Sequence, residues 1–529
     1  MTTADEYLST PGWSEVVTEV IHGRPTQLYR ERLHNVVDLL DISAAQADQV
    51  LLVHGDRRIT FGEFVPATLT GAAQLARAGV RPGDRVMIFS YNCAEFLLAM
   101  WAVWRVGAVP TLANRWWSDR ELDDVMASVR PAVVVTDALD HPVLAGAPVM
   151  GMGELAGWWN AAPAPVAPPP AVDETEVALI VYTAGSTGAP KGVQLSHLNL
   201  VITQQILHQM AGGRPPAPTR PEEQKVALMT TPMFHNGGVT ASLTALVDGN
   251  RMVFLRNRFD AVEAMELIER ERANSWNAVP TMYSRLLRHE RAGQFDLSSL
   301  ASPSTGGTMV VPEFLALARR GLPDARTGMS VGYGMTEMAF ISIATGDQVE
   351  ARPGTVGRPI PLVEVAIADA DEHGEGEVIG RSPAMMIGYH ETETQPIDGE
   401  GWYHTGDRGR LDDEGFIYIT GRVKDMVIRG GENISCPHVE QTIGTHPAVV
   451  EIAVVGLPDS DLGEQLGAVV SVGDAPVSEL ELIDFARGRL ARFEVPTRWL
   501  LVSEPLPTNA TGKIDKPVLR ERFLVAEES

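Results

Sequence analysis

Tyr182 to Val193, reading Tyr-Thr-Ala-Gly-Ser-Thr-Gly-Ala-Pro-Lys-Gly-Val, is the stretch that decides how this chain is interpreted. It follows the β-branched run Val177–Val181, which predicts a buried strand ending in a tight turn. Glycines let the backbone approach a ligand closely, and hydroxyls with a lysine suit a polyphosphate. The positions concerned are Thr183, Gly185, Ser186, Thr187, Gly188 and Lys191. The stretch is not a Walker A loop, because Pro190 precedes the lysine and Gly192 follows it.

Taken alone, this stretch fits a flexible glycine turn with a surface lysine as well as a phosphate loop. It resembles, however, the signature of the adenylate-forming superfamily, which contains acyl-CoA synthetases, adenylation domains of peptide synthetases and luciferases. The family form is roughly Tyr-Thr-Ser-Gly-Thr-Thr-Gly-x-Pro-Lys-Gly. This chain departs from it at Ala184 and Ser186. Ser186 keeps a hydroxyl, whereas Ala184 loses one and is therefore not assigned to the site.

Composition limits the class of protein. The 529 residues exceed a single core and predict two or more domains. The hydrophobic content of 44% and charged content of 21% are ordinary for a soluble globular enzyme. A net charge of −25 argues against a nucleic-acid partner, because a polyanion is repelled overall. Two cysteines, Cys93 and Cys436, are too few for a disulfide framework and fit a reducing cytoplasm.

No segment predicts secretion or a membrane span. The N-terminus is acidic and polar, unlike a secretory signal. The longest apolar run, Phe96 to Ala113, is broken by Arg105 and Pro110, which predicts a buried helix followed by a turn and a strand. We expect a cytoplasmic protein, and leave loose membrane association and a homodimer open.

Helices and short strands alternate along the first 170 residues, which predicts an α/β sheet domain. Thr60 is the predicted N-cap of a helix, with Glu63 three residues on. The alanine- and proline-rich segment Ala161–Pro170 predicts a linker, and Gly212–Gln224 a solvent-exposed excursion. The resemblance implies a large α/β N-terminal domain of several subdomains (1–421), a hinge (422–426) and a small, mobile α+β C-terminal lid (427–529).

A second group of motifs carries the candidate acid and nucleotide sites. His235 follows a predicted strand and precedes two glycines; the resemblance places it near the reacting carboxylate, although a lone histidine is more often structural. The positions assigned to the acyl pocket are His235, Asn236, Gly237, Gly238, Thr308 and Met338. We expect the two adjacent glycines after Asn236 to leave room for a sizeable acid.

Two small-residue turns complete the predicted nucleotide site. Gly306 and Gly307 would let an adenine ring lie against the backbone. The turn 331–337 supplies the aromatic face of Tyr333, next to Gly334. The same turn supplies a hydroxyl for the α-phosphate and a carboxylate for magnesium. These are Thr336 and Glu337, and the predicted metal ligands are Glu337 and Thr183.

The remaining candidates lie in the last quarter of the chain. A carboxylate can accept both ribose hydroxyls, which we expect of Asp407, and Arg422 would reach the ribose or a phosphate. By resemblance, Lys424 is the hinge, Gly430 and Gly431 lie along the path of the pantetheine arm of CoA, and Lys513 holds the carboxylate and the α-phosphate. His438 and Lys516 stand where many relatives carry glutamate and arginine.

The resemblance spans roughly residues 50–520 and implies an AMP-forming acid–thiol ligase. Its cofactors would be ATP, Mg²⁺ and CoA, and its substrate a largely apolar carboxylic acid, either fatty or bulky and ring-bearing. A fatty acyl-AMP ligase that serves a carrier protein, a luciferase-type oxygenase and a non-catalytic acyl or nucleotide sensor remain alternatives. An amino-acid-activating domain is disfavoured, since His235 and Asn236 stand where an aspartate is usual.

Overall fold

The structure is a computed structural model that describes most of the chain. The described residues are 15–43, 46–159, 172–183, 190–212, 223–308, 310–325, 328–392, 396–422, 426–429, 432–459, 462–473 and 477–527. Outside them lie the predicted linker 161–170, residues 213–222 of the predicted excursion, Gly185, Ser186, Thr187, Gly188, Lys424, Gly430 and Gly431. For these positions the expectations above remain predictions.

Strands and helices alternate through most of the described residues. In chain order the strands are β1 (Val16–Ile21), β2 (Arg24–Tyr29), β3 (Val50–His54), β4 (Arg57–Thr60), β5 (Arg85–Phe89), β6 (Val109–Leu112), β7 (Val133–Thr136), β8 (Val149–Gly151), β9 (Val177–Thr183), β10 (Lys191–Ser196), β11 (Val226–Met229), β12 (Arg251–Phe254), β13 (Ser275–Ala278), β14 (Ser302–Gly306), β15 (Ser330–Met335), β16 (Ala339–Ala344), β17 (Thr355–Pro359), β18 (Glu364–Ala368), β19 (Gly376–Arg381), β20 (Gly388–Tyr389), β21 (Tyr403–Leu411), β22 (Ile417–Arg422), β23 (Met426–Arg429), β24 (Glu432–Ser435), β25 (Val449–Asp459), β26 (Gly463–Val472) and β27 (Arg498–Val502). The helices are α1 (Asp38–Ser43), α2 (Phe61–Arg77), α3 (Ala94–Arg105), α4 (Asp119–Val129), α5 (Met152–Leu155), α6 (His197–Met210), α7 (Asn236–Val247), α8 (Ala261–Glu271), α9 (Pro280–Leu287), α10 (Pro312–Gly321), α11 (Gly346–Ala351), α12 (Cys436–Gly444), α13 (Glu479–Arg487) and α14 (Lys516–Glu527).

Two large sheets form the N-terminal part of the described chain. One has the strand order β20-β10-β9-β6-β5-β7-β8, and the other β18-β19-β21-β22-β17-β16-β15-β14-β13-β11-β12-β3-β4. Strands β1 and β2 form a separate antiparallel hairpin. A further sheet, β24-β23-β26-β25 with β27 beside β26, packs with α12, α13 and α14. We call these last elements the C-terminal region (residues 426–527). A large α/β part followed by a small α+β part is the fold predicted from the sequence.

Local sequence explains several elements. Thr60 caps α2 in a capping box with Glu63, as predicted. The apolar run forms α3, every residue of which is buried, and then β6; the indole of Trp104 donates to the carbonyl of Ala178 at 2.6 Å. Among the described residues, no helix is both long and apolar enough to cross a membrane.

Parallel pairing in the larger sheet positions the candidate site. Strands β3, β12, β11, β13, β14 and β15 run parallel to one another. The carboxyl ends of parallel strands meet at one edge of a sheet, and ligands of α/β proteins bind at that edge. The segments that follow β11, β13, β14 and β15 carry His235, Val279, Gly307 and Thr336.

Candidate active site

Lys513 reaches the carboxyl edge of the large sheet from the C-terminal region. Its Cε and Nζ lie 3.3 and 3.5 Å from the point where a Cβ on Gly307 would stand. Gly307 has φ +76°, a conformation that side chains other than glycine rarely adopt. Burial lowers the pKa of Lys513, and the charge of Arg422 lowers it further, while Asp407 opposes both. One lysine thus joins two distant parts of the chain at the predicted nucleotide site.

The loop that carries Lys513 is ordered by an asparagine. The Oδ1 atom of Asn509 accepts hydrogen bonds from the backbone N–H groups of Thr511 (3.0 Å) and Lys513 (3.2 Å). The backbone N–H of Asn509 donates to the carbonyl of Lys513 at 2.8 Å. An asparagine that bonds to nearby backbone groups fixes a turn at small conformational cost.

Asp407 lies nearby with two donors on its buried carboxylate. The hydroxyl of Tyr333 donates to Oδ2 at 2.8 Å, and Nε of Arg422 lies 3.0 Å from Oδ1. The Asp407 side chain is 7% exposed, and burial raises its pKa although Arg422 and Tyr333 lower it. Three residues predicted separately for the ribose and the adenine ring are therefore in direct contact.

The turn before Asp407 is held by a carboxylate that the sequence analysis did not single out. Oε1 of Glu377 accepts the backbone N–H of Gly406 at 2.9 Å, and Oε2 lies 2.8 Å from Nδ1 of His404. The hydrogen bond that His404 donates to Glu377 is the main cause of the raised pKa of His404. The backbone N–H of Asp407 donates to Oγ1 of Thr405 at 3.0 Å. These bonds fix the direction in which strand β21 presents its aspartate.

Glu337 is likewise buried and held by a tyrosine. The hydroxyl of Tyr389, on β20, donates to Oε1 of Glu337 at 2.8 Å, and the hydroxyl of Tyr403 lies 3.5 Å from that of Tyr389. Burial raises the pKa of Glu337. The Nζ atom of Lys191 lies 5.3 Å from the ring centroid of Tyr389. Tyr389 therefore connects the predicted phosphate lysine with the predicted metal ligand.

Thr183 and Lys191 flank the undescribed part of the glycine-rich stretch. They are opposite each other in the antiparallel pair β9–β10. The predicted strand at Val177–Val181 is β9, which extends to Thr183. The ends of β9 and β10 that border residues 184–189 are therefore adjacent, and the phosphate loop itself remains a prediction.

His235 caps α7 by its backbone position and has a nearly enclosed ring. Its Nε2 atom is buried without a hydrogen-bond partner in the described structure. Burial, aided by the charge of Lys513, lowers the pKa of His235 to about 4, so the imidazole is neutral at pH 7. The side chain of Asn236 donates to the carbonyl of Thr336 at 3.3 Å, which ties α7 to the turn after β15.

The other residues assigned to the acyl pocket differ in exposure. Gly237 and Thr308 are exposed. Gly238 is buried, and a Cβ there would lie 2.3 Å from the carbonyl oxygen of Pro232, so close packing within the turn is a local reason for this glycine. Met338 has no exposed surface, and its Cε would lie 2.8 Å from a Cβ on Gly380. That position, in the core, argues against contact of Met338 with an acid.

Comparison with protein families decides the assignment of the chain. Residues 41–390 match the family model described as AMP-binding enzyme, and residues 438–513 match the model described as AMP-binding enzyme C-terminal domain. The chain belongs to the AMP-binding enzyme family. Membership confirms the predicted adenylate-forming superfamily and the predicted class, an AMP-forming acid–thiol ligase.

This AMP-binding enzyme is similar along its length to named ligases. It is 33% identical to a feruloyl-CoA synthase of Amycolatopsis sp, over 89% of this chain and 95% of that protein. It is 28% identical to a long-chain-fatty-acid–CoA ligase of Bacillus subtilis (strain 168), over 98% of both chains. The crystal structure of ATP-bound MatB from Rhodopseudomonas palustris has a TM-score of 0.79 and 28% identity, over 92% of this chain and 99% of that one. The chain is thus an acyl-CoA synthetase by family, in a group with diverse acids.

Proposed function

We propose that this enzyme is an ATP-dependent acyl-CoA ligase for a carboxylic acid with a largely apolar body, either fatty or ring-bearing. The observation that carries the proposal is the position of Lys513 beside Gly307, close enough for its charge to act on both Asp407 and His235. Lys513 thus places a positive charge at the carboxyl edge of the sheet, close to the buried carboxylate of Asp407, which we expect to bind the ribose. This arrangement suits a reaction between a carboxylate and a nucleotide.

The nucleotide would be bound by groups that are already held in place. Asp407 would accept the ribose hydroxyls, and Arg422 would stay paired with it. The ring of Tyr333 offers a face for the adenine, while its hydroxyl keeps Asp407 oriented. Thr336 would donate to the α-phosphate, and Lys191 would lie along the β- and γ-phosphates. Because Tyr333 and Arg422 already hold Asp407, little reorganisation of the ribose-binding group is needed during the reaction.

In the first half-reaction, a carboxylate oxygen of the acid attacks the α-phosphorus of ATP and pyrophosphate leaves. The product is an acyl adenylate, in which AMP has become a competent leaving group. The acid and the nucleotide are both anionic, so the charge of Lys513 is needed between them. His235 is neutral at pH 7 and would contact the acid by hydrogen bonding or packing rather than by an ion pair.

Magnesium would be held by Glu337 and Thr183 together with phosphate oxygens. Mg²⁺ is commonly bound by one or two protein carboxylates and the phosphates of its substrate. Glu337 supplies a carboxylate of this kind, and the hydrogen bond that Tyr389 donates to its Oε1 holds that carboxylate in place. When bound, the ion would neutralise charge on the phosphates.

In the second half-reaction, the thiolate of CoA attacks the acyl carbon and AMP leaves. Lys513 would have to withdraw to admit the thiol, by rotation of the C-terminal region about the hinge at Lys424. Gly430 and Gly431 would then lie along the pantetheine arm. One mobile region would thus serve two chemical steps in turn.

The acid is inferred from the character of its surroundings. Gly237 and Thr308 are small, and the imidazole of His235 is uncharged, so no fixed cation among these three would pair with a second carboxylate. This favours a monocarboxylic acid. The relatives named for a long-chain fatty acid and for a feruloyl group represent the two kinds of acid that we propose.

The deciding experiment measures AMP and pyrophosphate formation from ATP with a panel of carboxylic acids, with and without CoA. Turnover that requires CoA and yields a thioester supports the proposal and names the acid. Pyrophosphate exchange that is independent of CoA, with no thioester formed when CoA is added, refutes it in favour of an acyl-AMP ligase. Lys513→Ala should abolish adenylation while nucleotide binding stays close to that of the parent.

A further inference from the structure

One face of helix α9 donates hydrogen bonds to the C-terminal region. Thr281, Arg285 and Arg288 are spaced by four and three residues, which places their side chains on one side of a helix. Thr281 and Arg285 lie within α9, and Arg288 is its C-cap. We call these three residues the α9 face. All three donate to backbone carbonyls that lie more than 150 residues further along the chain.

The three contacts span the C-terminal region. Oγ1 of Thr281 donates to the carbonyl of Gly512. Nη2 of Arg285 donates to the carbonyl of Leu506 at 2.9 Å. Nη1 of Arg288 donates to the carbonyl of Val450 at 3.2 Å. The acceptors are backbone atoms, so the contacts depend on where the region sits and not on which side chains it carries.

An ion pair reinforces the middle contact. Nε of Arg285 lies 3.4 Å from Oε1 of Glu451, whose side chain is 7% exposed. The other oxygen of Glu451 accepts the backbone N–H of Leu506 at 2.7 Å. Arg285 and Glu451 thus hold the same backbone segment from both sides of the boundary.

The first contact acts next to the reactive lysine. Gly512 precedes Lys513 and has φ +79°. A Cβ on Gly512 would lie 2.7 Å from Cε of Met282 and 3.1 Å from Cγ2 of Val279, so the loop is pressed against the start of α9. Thr281 lies between those two residues in sequence and fixes the carbonyl of Gly512. The direction of the peptide that leads into Lys513 is therefore set from α9.

We propose that the α9 face is a latch that docks the C-terminal region with Lys513 in the site, and that it serves only the adenylation half-reaction. Its three residues are positioning residues. The inference rests on the proposed function, in which Lys513 is needed for adenylation and must leave for thioester formation. Contacts that exist only in the docked state stabilise the first step and oppose the second.

The kinetic test separates the two half-reactions in the full chain. The probe is whichever of ferulate and palmitate supports ATP–pyrophosphate exchange in the parent. Thr281→Val, which removes the donor, should slow exchange roughly 2- to 12-fold, the range for a single net hydrogen bond. Conversion of the chemically prepared acyl adenylate and CoA to thioester should not slow. Thr281→Ser should restore exchange, because it keeps the hydroxyl.

Arg291→Leu is the matched control for Arg285→Leu and Arg288→Leu. Arg291 bonds to Gln294 at 3.1 Å and lies over Phe295, with neither contact in the C-terminal region. Arg285→Leu and Arg288→Leu should slow exchange selectively, and Arg291→Leu should slow neither step. Equal slowing of both half-reactions by the α9-face variants, or no slowing by any of them, overturns the inference.

The distance between two spin labels tests the docking of the C-terminal region directly and does not depend on ferulate or palmitate being a substrate. The two native cysteines are first removed by Cys93→Ser and Cys436→Ser. Spin labels are then attached at Arg320→Cys, on α10, and at Leu480→Cys, on α13, and both labelled positions are exposed. With ATP present, the parent should show one dominant label distance. Combining Thr281→Val, Arg285→Leu and Arg288→Leu should broaden the distribution or shift it to longer distances. An unchanged distribution refutes the latch, whereas a failed acid panel refutes only the proposed function.

Discussion

Replacing Glu174 by glutamine should weaken the attachment of the β1–β2 hairpin and make that attachment less sensitive to acid. The guanidinium of Arg32, which is 3% exposed, bonds to Glu174 at 2.6 Å and to Glu19, on β1, at 2.8 Å. Nδ1 of His34 lies 2.8 Å from the other oxygen of Glu174. The carboxylate therefore links the hairpin to the segment that enters β9.

The size of the effect follows from the pKa of this carboxyl. Burial alone would raise it, but hydrogen bonds from His34 and Arg32 outweigh burial and hold the pKa of Glu174 at about 2, against an ordinary 4.5. Each pKa unit corresponds to about 1.36 kcal/mol, so the charged form contributes about 3 kcal/mol. Because the folded pKa is lowered, this stability is present in full above pH 4.5 and is lost as the pH falls toward 2. The side chain is 12% exposed, so solvent screening reduces it little.

Hydrogen–deuterium exchange of peptides from residues 16–29 is the appropriate measurement, since it reports local opening of the hairpin. At pH 7, after correction for intrinsic rates, Glu174→Gln should exchange about two orders of magnitude faster than the parent. At pH 3 the difference should fall to less than half of its free-energy value. Glu15→Gln, in a pair with Arg30 that is more than half exposed, should change exchange little. A difference that is the same at pH 7 and pH 3 would refute the reasoning.

Three further changes test the site. Tyr389→Phe removes the donor to Glu337 and should lower adenylation roughly 10- to 150-fold, because a hydrogen bond to a charged group is worth about 1.5 to 3 kcal/mol, while thioester formation from the prepared adenylate is spared. Gly512→Ala should lower adenylation at least 10-fold, because the new methyl group meets Met282 and the backbone is strained; Gly293→Ala, at an open position, is its control. Glu377→Ala should raise KM for ATP several-fold and leave KM for the acid unchanged. Glu377→Gln, which keeps an acceptor oxygen for Gly406, should return KM for ATP most of the way to the parent value.

Local patterns predicted the elements that depend on neighbours in sequence. The capping box at Thr60 and Glu63 and the strand β9 follow from residues within one turn or one strand. The buried helix α3 followed from an apolar run with a break at its end. The division into a large α/β part and a small α+β part came from the family resemblance, because no composition rule fixes the order of strands in a sheet.

Partners of site residues were beyond the sequence analysis. Glu377 bonds to Gly406, next to Asp407, across 29 positions of sequence, and Tyr389 bonds to Glu337 across 52. A lone glutamate or tyrosine at such a distance carries no pattern. The α9 face has helical spacing, but only the folded chain shows that its acceptors are backbone carbonyls. Met338 was assigned to the acyl pocket as an apolar residue of its stretch, whereas its side chain lies fully buried in the core.

The pairing of β3 with β12 has a consequence for the synthesis of the chain. Leu52 is the register partner of Met252, two hundred residues later. At a translation rate of roughly 5 to 20 residues per second, β3 waits on the order of 10 to 40 s for its partner to be made. During that time the β3–β4 hairpin presents an open, apolar strand edge, which is a site for aggregation. The nascent chain therefore emerges from the ribosome with its first large-sheet strands in need of protection long before Lys513 is made.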